Sequence, residues 1–187
     1  DLVRSRGLGD VYKRQGLIGS LGTTVNTGDD IIIAGEGSVG GQHTLGSSDV
    51  INGGSGTDRI NIRLADTAVP AGQIVIPNMT SVEKVYTQAI TSAVATGNRI
   101  NAINVTGTTE WWSDNSTSTL VVDNVKEKAA VGVIGGNAAA PQDYQVGFAA
   151  AAVTGSLSVA LSGAVLDDLG VSCLLYTSPS PRDRTRS

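Results

Sequence analysis

The residues of this 187-residue chain whose spacing could do chemistry are its glycines and aspartates. In Gly53-Gly54-Ser55-Gly56-Thr57-Asp58-Arg59-Ile60-Asn61, three glycines precede a carboxylate, and an aliphatic residue follows two places later. Glycine reaches backbone conformations closed to residues with a Cβ, so such a turn can aim carbonyl groups inward. The aspartate adds a hard anionic oxygen, and the aliphatic residue points into a core along a following strand. Oxygen-only coordination of a hard cation is the chemistry this arrangement suits.

Other chemistries find little support. The chain has one cysteine and one histidine, so it offers no CxxC pair, no Cys/His zinc set and no intramolecular disulfide. His43, between Gln42 and Thr44, has no partner at ligand or base spacing. Asp29-Asp30 and Asp167-Asp168 are sequence neighbours, whereas a glycosidase pair faces across a cleft. The glycines are not followed by Lys-Ser/Thr, which leaves out a phosphate-binding loop. Trp111-Trp112 points to opposite faces of a strand, with one ring buried and the other covering a loop or subunit contact, the alternative being an exposed ring that stacks on a sugar. A net charge of −4 argues against nucleic acid, and no apolar run reaches the roughly 18–20 residues of a membrane-spanning helix. An enzyme is not expected.

The elements that would position the aspartates are short strands. Apolar residues cluster at 31–33, 60–64, 74–76, 82–86, 100–105, 120–125, 131–134, 146–149 and 157–161. Ile60, Ile62 and Leu64 alternate with a period of two, the mark of a strand with one buried face. Gly, Asn, Asp, Ser and Thr fill the intervals. Residues 149–152 and 164–169 could form short helical turns, the first equally a continued strand. An internal repeat at an offset of 19 pairs Asp30 with Asp49, Ile32 with Ile51, Gly35 with Gly54 and Gly37 with Gly56. This predicts stacked coils of 18–19 residues, each of two nine-residue halves.

The segment 53–61 resembles the repeats-in-toxin (RTX) nonapeptide GGxGxDxUx at every defined position. With 79–86 and 100–107, the chain is also similar to the β-strand repeats of bacterial surface-layer and type I-secreted proteins. The resemblance implies an all-β fold: an RTX-like parallel β-roll over 16–64, continuing over 65–172 into a Thr/Val-rich β-solenoid or β-sandwich. It implies calcium (Ca2+) held at turns by Asp30, Gly46, Asp49, Gly53, Gly54, Gly56 and Asp58. In that family an ion is shared between a turn and its equivalent one coil away, so Asp58 should face the degenerate turn 34–39, and Asp49 the turn at Asp30. The implied role is structural, in a secreted surface-layer or adhesin-like protein outside a bacterial cell, with self-association or cell-surface polysaccharide as partners. A noncatalytic segment of a secreted hydrolase, or a phage tail or receptor-binding fibre, stand as alternatives.

The two ends differ from the middle. Residues 1–15 hold four basic residues and 173–187 hold three, leaving six bases against fourteen acids in 16–172, a net of −8. Residues 10–15 (DVYKRQ) and 173–178 (CLLYTS), followed by Pro179 to Asp183, resemble translated sequencing-adapter sequence. Both end segments are therefore expected to be disordered, and 16–172 to be an internal slice of a longer chain.

Overall fold

A computed structural model of the chain describes residues 11–13, 23–24, 28–35, 45–47, 49–66, 74–92, 98–139, 141–149 and 156–174. Its strands, in chain order, begin with β1 Val11–Lys13, β2 Thr23–Thr24, β3 Ile31–Ala34, β4 Val50–Asn52, β5 Arg59–Asp66 and β6 Ile74–Val75. There follow β7 Asn78–Thr80, β8 Lys84–Ser92, β9 Asn98–Asn101, β10 Val105–Thr106 and β11 Glu110–Asp114. The last are β12 Leu120–Val125, β13 Ala130–Ile134, β14 Gln142–Ala149, β15 Val159–Ser162 and β16 Leu166–Leu174. A single 3-10 turn, Ala102–Asn104, separates β9 from β10.

Among the described residues every strand pairing is parallel, and the strands form three sheets. Face one is β1-β3-β5-β8-β11-β13-β15, face two is β2-β4-β7-β10, and face three is β6-β9-β12-β14-β16. From β5 to β11 the chain visits faces one, three and two in rotation, and before β5 its described strands alternate between faces one and two. The stacked parallel coils make a β-solenoid. The sequence left open a sandwich beyond residue 64. The structure instead carries the same faces through β5, across residues 64–65, and on to β15 and β16.

The coil is longer than the sequence repeat suggests. Ile31 lies beside Arg59, and Asp30 is bonded to Asp58, 28 residues on. The following coils close after 25 and 26 residues. A 19-residue coil has room for two strands and two turns, whereas the three-faced circuits from β5 to β8 and from β8 to β11 take 25 and 26 residues. From β11 to β13 the chain skips face two and the coil shortens to 20 residues, where Gly107 meets Glu127, whereas β13 and β15 pair at a spacing of 28.

Alternation along the strands builds the core. On face one, Ile32, Ile60, Val85, Trp111 and Val131 stand in register and are buried. Ile51, Met79 and Val105 form the matching column of face two, and Val75, Ile100, Val122 and Val146 that of face three. Each such side chain, fully buried, contributes about 1.5–3 kcal/mol relative to exposure. The column ends at β15, where Val159 and Leu161 are 49% and 61% exposed.

Residues 164–169, read as a possible helical turn, are strand from Leu166 onward. Pairing with β14 overrides the local helical tendency of the Ala/Leu stretch, because the ladder satisfies a whole row of backbone groups. Of the other such segment, Ala149 ends β14, and 150–152 lie outside the described residues. Two pieces of the end segments are strand: Val11–Lys13 pairs with Ile31–Ile33, and β16 runs through Cys173 and Leu174.

Outside face one, a ladder of side chains crosses the coils. The Arg59 guanidinium sits 3.8 Å from the Tyr86 ring centre, on the side of β5. On the other side Tyr86 stacks on Trp112, with centroids 5.5 Å apart and planes 9° apart. Trp112 in turn rests on Gly132, where an added Cβ would lie 2.1 Å from the indole ring. Replacing Gly132 with Ala should lift Trp112 off the sheet and destabilise by about 1–3 kcal/mol. The checks are a fall in Tm of about 2–4 °C per kcal/mol and a change in tryptophan fluorescence; an unchanged Tm would contradict this packing.

Candidate functional site

The turn that enters β5 is built from three glycines and stacks between two other turns. Gly54 and Gly56 have φ of +92° and +140°, in the region that favours glycine. Gly56 lies directly against Gly28, so that a Cβ there would be 2.3 Å from the Gly28 carbonyl oxygen. Gly53 donates its N–H to the Thr80 carbonyl at 2.9 Å. A Cβ on Gly53 would be 1.7 Å from the Ser81 carbonyl oxygen and 2.7 Å from Asp58 Oδ2. Glycine is therefore required at 53 for space and at 56 for space and conformation.

Carboxylates then link coil to coil. Asp58 Oδ1 accepts the N–H of Asp30 at 2.8 Å, and Glu83 Oε2 accepts the N–H of Asp58 at 2.7 Å. Asp29 Oδ1 accepts the N–H of Thr57 at 2.7 Å. In the shorter coil, Glu127 Oε2 takes the N–H of Gly107 at 2.8 Å. In these turns the backbone leaves the ladder, and a side-chain oxygen of the next or preceding coil replaces the missing carbonyl.

Four carboxylates, those of Asp29, Asp30, Asp58 and Glu83, thus share one corner. Asp58 is fully buried, and its Oδ2 has no hydrogen-bond partner. That oxygen and the Ser81 carbonyl oxygen crowd the same side of Gly53. The neighbouring cations point elsewhere: Arg59 lies over Tyr86, and Lys84 pairs with Glu110 at 3.5 Å. Burial pushes the Asp58 pKa above the ordinary value of 3.8. The N–H of Asp30 opposes that rise, while the charges of Glu83, Asp30 and Asp29 add to it.

The corner differs from the one read from sequence. It unites Asp30, Gly53, Gly54, Gly56 and Asp58, with Asp58 facing Asp30 rather than the turn 34–39, most of which lies outside the described residues. Asp49 and Gly46 belong to a separate turn ahead of β4 on face two. There Asp49 Oδ2 accepts the N–H of Gly46 at 2.7 Å, its Oδ1 is buried without a partner, and burial raises its pKa. Asp49 stacks on Asn78, whose N–H it binds through its carbonyl, and not on Asp30. His43 lies outside the described residues.

Asp29, Glu83 and the Ser81 carbonyl were not foreseen. Gly28/Gly56, Asp30/Asp58 and Ile32/Ile60 all repeat at 28, and that spacing could have found the corner. Glu83 carries no such signal, since Ser81 (φ +51°) replaces a turn glycine there.

Among the described residues, no three His, Cys, Asp or Glu side chains converge as a metal-ligating group. A cation at this corner would take one or two carboxylate oxygens and complete its shell with backbone carbonyls and water. Calcium accepts such a set, since it binds six to eight oxygens of mixed type. The orphaned Asp58 Oδ2 beside a carbonyl oxygen fits it.

The aromatic pair offers less to a ligand. Trp111 is buried, and the ladder covers both faces of Tyr86 and of Trp112. An open groove of about 260 Å³ beside the ladder is lined by Asn61, Arg63, Tyr86, Gln88, Asp114 and Asn115, among others. Two of its side-chain amides are already engaged: Gln88 Nε2 donates to the Asn115 backbone carbonyl and Asn115 Nδ2 to the Asp114 carboxylate.

The direction of the Asp58 shift sets a pH dependence. A carboxyl whose pKa is raised on folding binds more protons folded than unfolded. Its ionisation therefore destabilises the fold as pH rises from about the unfolded value of 3.8 through the folded one. In chelator, Tm should climb as pH falls through this window, and Asp58→Asn should flatten the climb. A wild-type Tm that instead falls steadily with acid, unaffected by Asp58→Asn, would contradict the buried acidic corner. Asp58→Ala, which strands the buried N–H of Asp30, should cost about 1–3 kcal/mol.

No helix among the described residues is long and apolar enough to cross a membrane. No family model matches the chain, and no curated protein or solved structure matches it.

Proposed function

We propose that this chain is a structural, calcium-stabilised stretch of β-solenoid from a secreted bacterial surface-layer or adhesin-like protein. The single observation that carries the reading is the buried, unpartnered Oδ2 of Asp58 beside the Ser81 carbonyl, in a corner of four carboxylates. Desolvating a carboxylate with no cation is costly, and the charges of Asp29, Asp30 and Glu83 add repulsion. A divalent ion there reverses the sign of the interaction. The resemblance of 53–61 to RTX nonapeptides supports the same assignment.

Export follows the same physics. Fourteen acids against six bases in 16–172 repel one another until cations neutralise part of the charge. The chain would leave the cell unfolded by type I secretion and close its coils on meeting external calcium. Extracellular modules bind calcium with Kd on the order of 10⁻⁴–10⁻³ M, so a weak corner suffices. The solenoid faces would then serve self-association or contact with cell-surface polysaccharide. The role is scaffolding, with no catalytic step assigned to any residue.

The test is a thermal melt of the full chain at neutral pH in chelator, magnesium and calcium. At calcium about 100 times its Kd, linkage adds about 2.7 kcal/mol to the folded state. Calcium should raise Tm and magnesium should not. Asp58→Asn, which keeps an acceptor for Asp30 but removes the charge, should abolish most of the shift, and Asp143→Ala should leave it intact. Equal responses to calcium and magnesium, or a full calcium shift in Asp58→Asn, would refute the reading.

A further inference from the structure

Asn52 is the one asparagine of the chain followed by glycine. The fold constrains both residues. Position 53 excludes a Cβ because of the Ser81 carbonyl. At position 52 a short side chain must present an oxygen to the turn, and Asn52 Oδ1 accepts the N–H of Gly54 at 3.0 Å.

This pairing carries a chemical liability. Once deprotonated, the backbone nitrogen of Gly53 can attack Cγ of Asn52. The new C–N bond closes a five-membered succinimide, and the side-chain nitrogen leaves as ammonia. Water then opens the ring at either carbonyl, leaving aspartate or isoaspartate at 52 and restoring the N–H of Gly53. Glycine offers no side chain to hinder the attack.

The coil-to-coil contact blocks the first step. The Gly53 N–H is already donated to the Thr80 carbonyl at 2.9 Å, and Asn52 stands in register with Thr80 on β7. The side-chain oxygen is held by Gly54 in the same turn. Nitrogen and Cγ can meet only when β4 separates from β7, which is a local opening of the solenoid.

We infer that Asn52 is a deamidation site gated by the contact between β4 and β7, and that isoaspartate formation there is a one-way opening of this coil. Isoaspartate adds a methylene to the main chain immediately before Gly53. β4 then cannot keep Val50, Ile51 and Asn52 opposite Asn78, Met79 and Thr80 while also returning the Gly53 N–H to Thr80. The inference does not depend on calcium.

The full chain is incubated in mildly alkaline buffer, folded and in denaturant, and every asparagine is followed by peptide mapping that resolves isoaspartate. In denaturant, Asn52 should convert faster than the other asparagines. In the folded chain its conversion should slow by at least about tenfold, the effect of requiring an opening step. Equal rates in the two states, or no excess over other asparagines in denaturant, would overturn the inference. Isoaspartate-bearing molecules, isolated and refolded, should lose hydrogen-exchange protection at the Gly53 amide. The Asn52→Asp variant, which adds the charge without the methylene, should retain it. Protection kept in the isoaspartate form would overturn the one-way consequence.

Discussion

One constraint governs this molecule: the backbone N–H and C=O groups along the strands of each coil find their ladder partners on the coils above and below. In a parallel solenoid the length of a coil therefore decides which residues become neighbours. A 28-residue coil puts Asp58 against Asp30 and Gly56 against Gly28. The same constraint explains the carboxylates at the turns, since a turn that leaves the ladder still has N–H groups to satisfy. Asp29, Asp58, Glu83 and Glu127 each supply an oxygen to such a group on an adjacent coil.

Satisfying backbone donors with acids concentrates charge, and here the two demands collide. Each acid alone is a good cap. Stacked in one corner they repel, and Asp58 is buried with one oxygen bonded and the other against a carbonyl. The corner is thus locally well bonded and electrostatically unfavourable, and a bound cation relieves that conflict. The outer ladder of Arg59, Tyr86 and Trp112 works differently: it ties three coils together by stacking and needs no ion.

Much of the fold was legible in the sequence, for physical reasons. Ile60, Ile62 and Leu64 alternate because one side of β5 meets the core, and the β-branched clusters mark strands on faces one and three. Face two was not legible as a separate face, because the repeat matched β4 with β3. Its strands β4, β7 and β10 are two or three residues long, too short to display a period. With β4 read as the equivalent of β3, the 19-residue repeat looked like a complete coil. The Asp30/Asp49 alignment matched residue types that occupy different corners. The nonapeptide placed Gly53, Gly56 and Asp58 in one turn, but their partners Gly28 and Asp30 came from a 28-residue spacing that the 19-residue repeat does not show. Glu83 sat beyond any glycine pattern, because Ser81 adopts the positive φ in place of glycine.

The central claim is that a 28-residue coil, and not a 19-residue one, brings the acidic corner together. Disulfide trapping measures it directly, in a background with Cys173 replaced. Ile31 and Arg59 are register partners on adjacent strands, which lie about 4.7–4.9 Å apart, within the roughly 4.4–6.8 Å between α-carbons that a disulfide spans. Ile31 and Val50 are the partners that a 19-residue coil would bring together. Under mild oxidation of the folded chain, the Ile31→Cys/Arg59→Cys pair should cross-link rapidly and the Ile31→Cys/Val50→Cys pair should not. Cross-linking of the second pair in preference to the first would contradict the account.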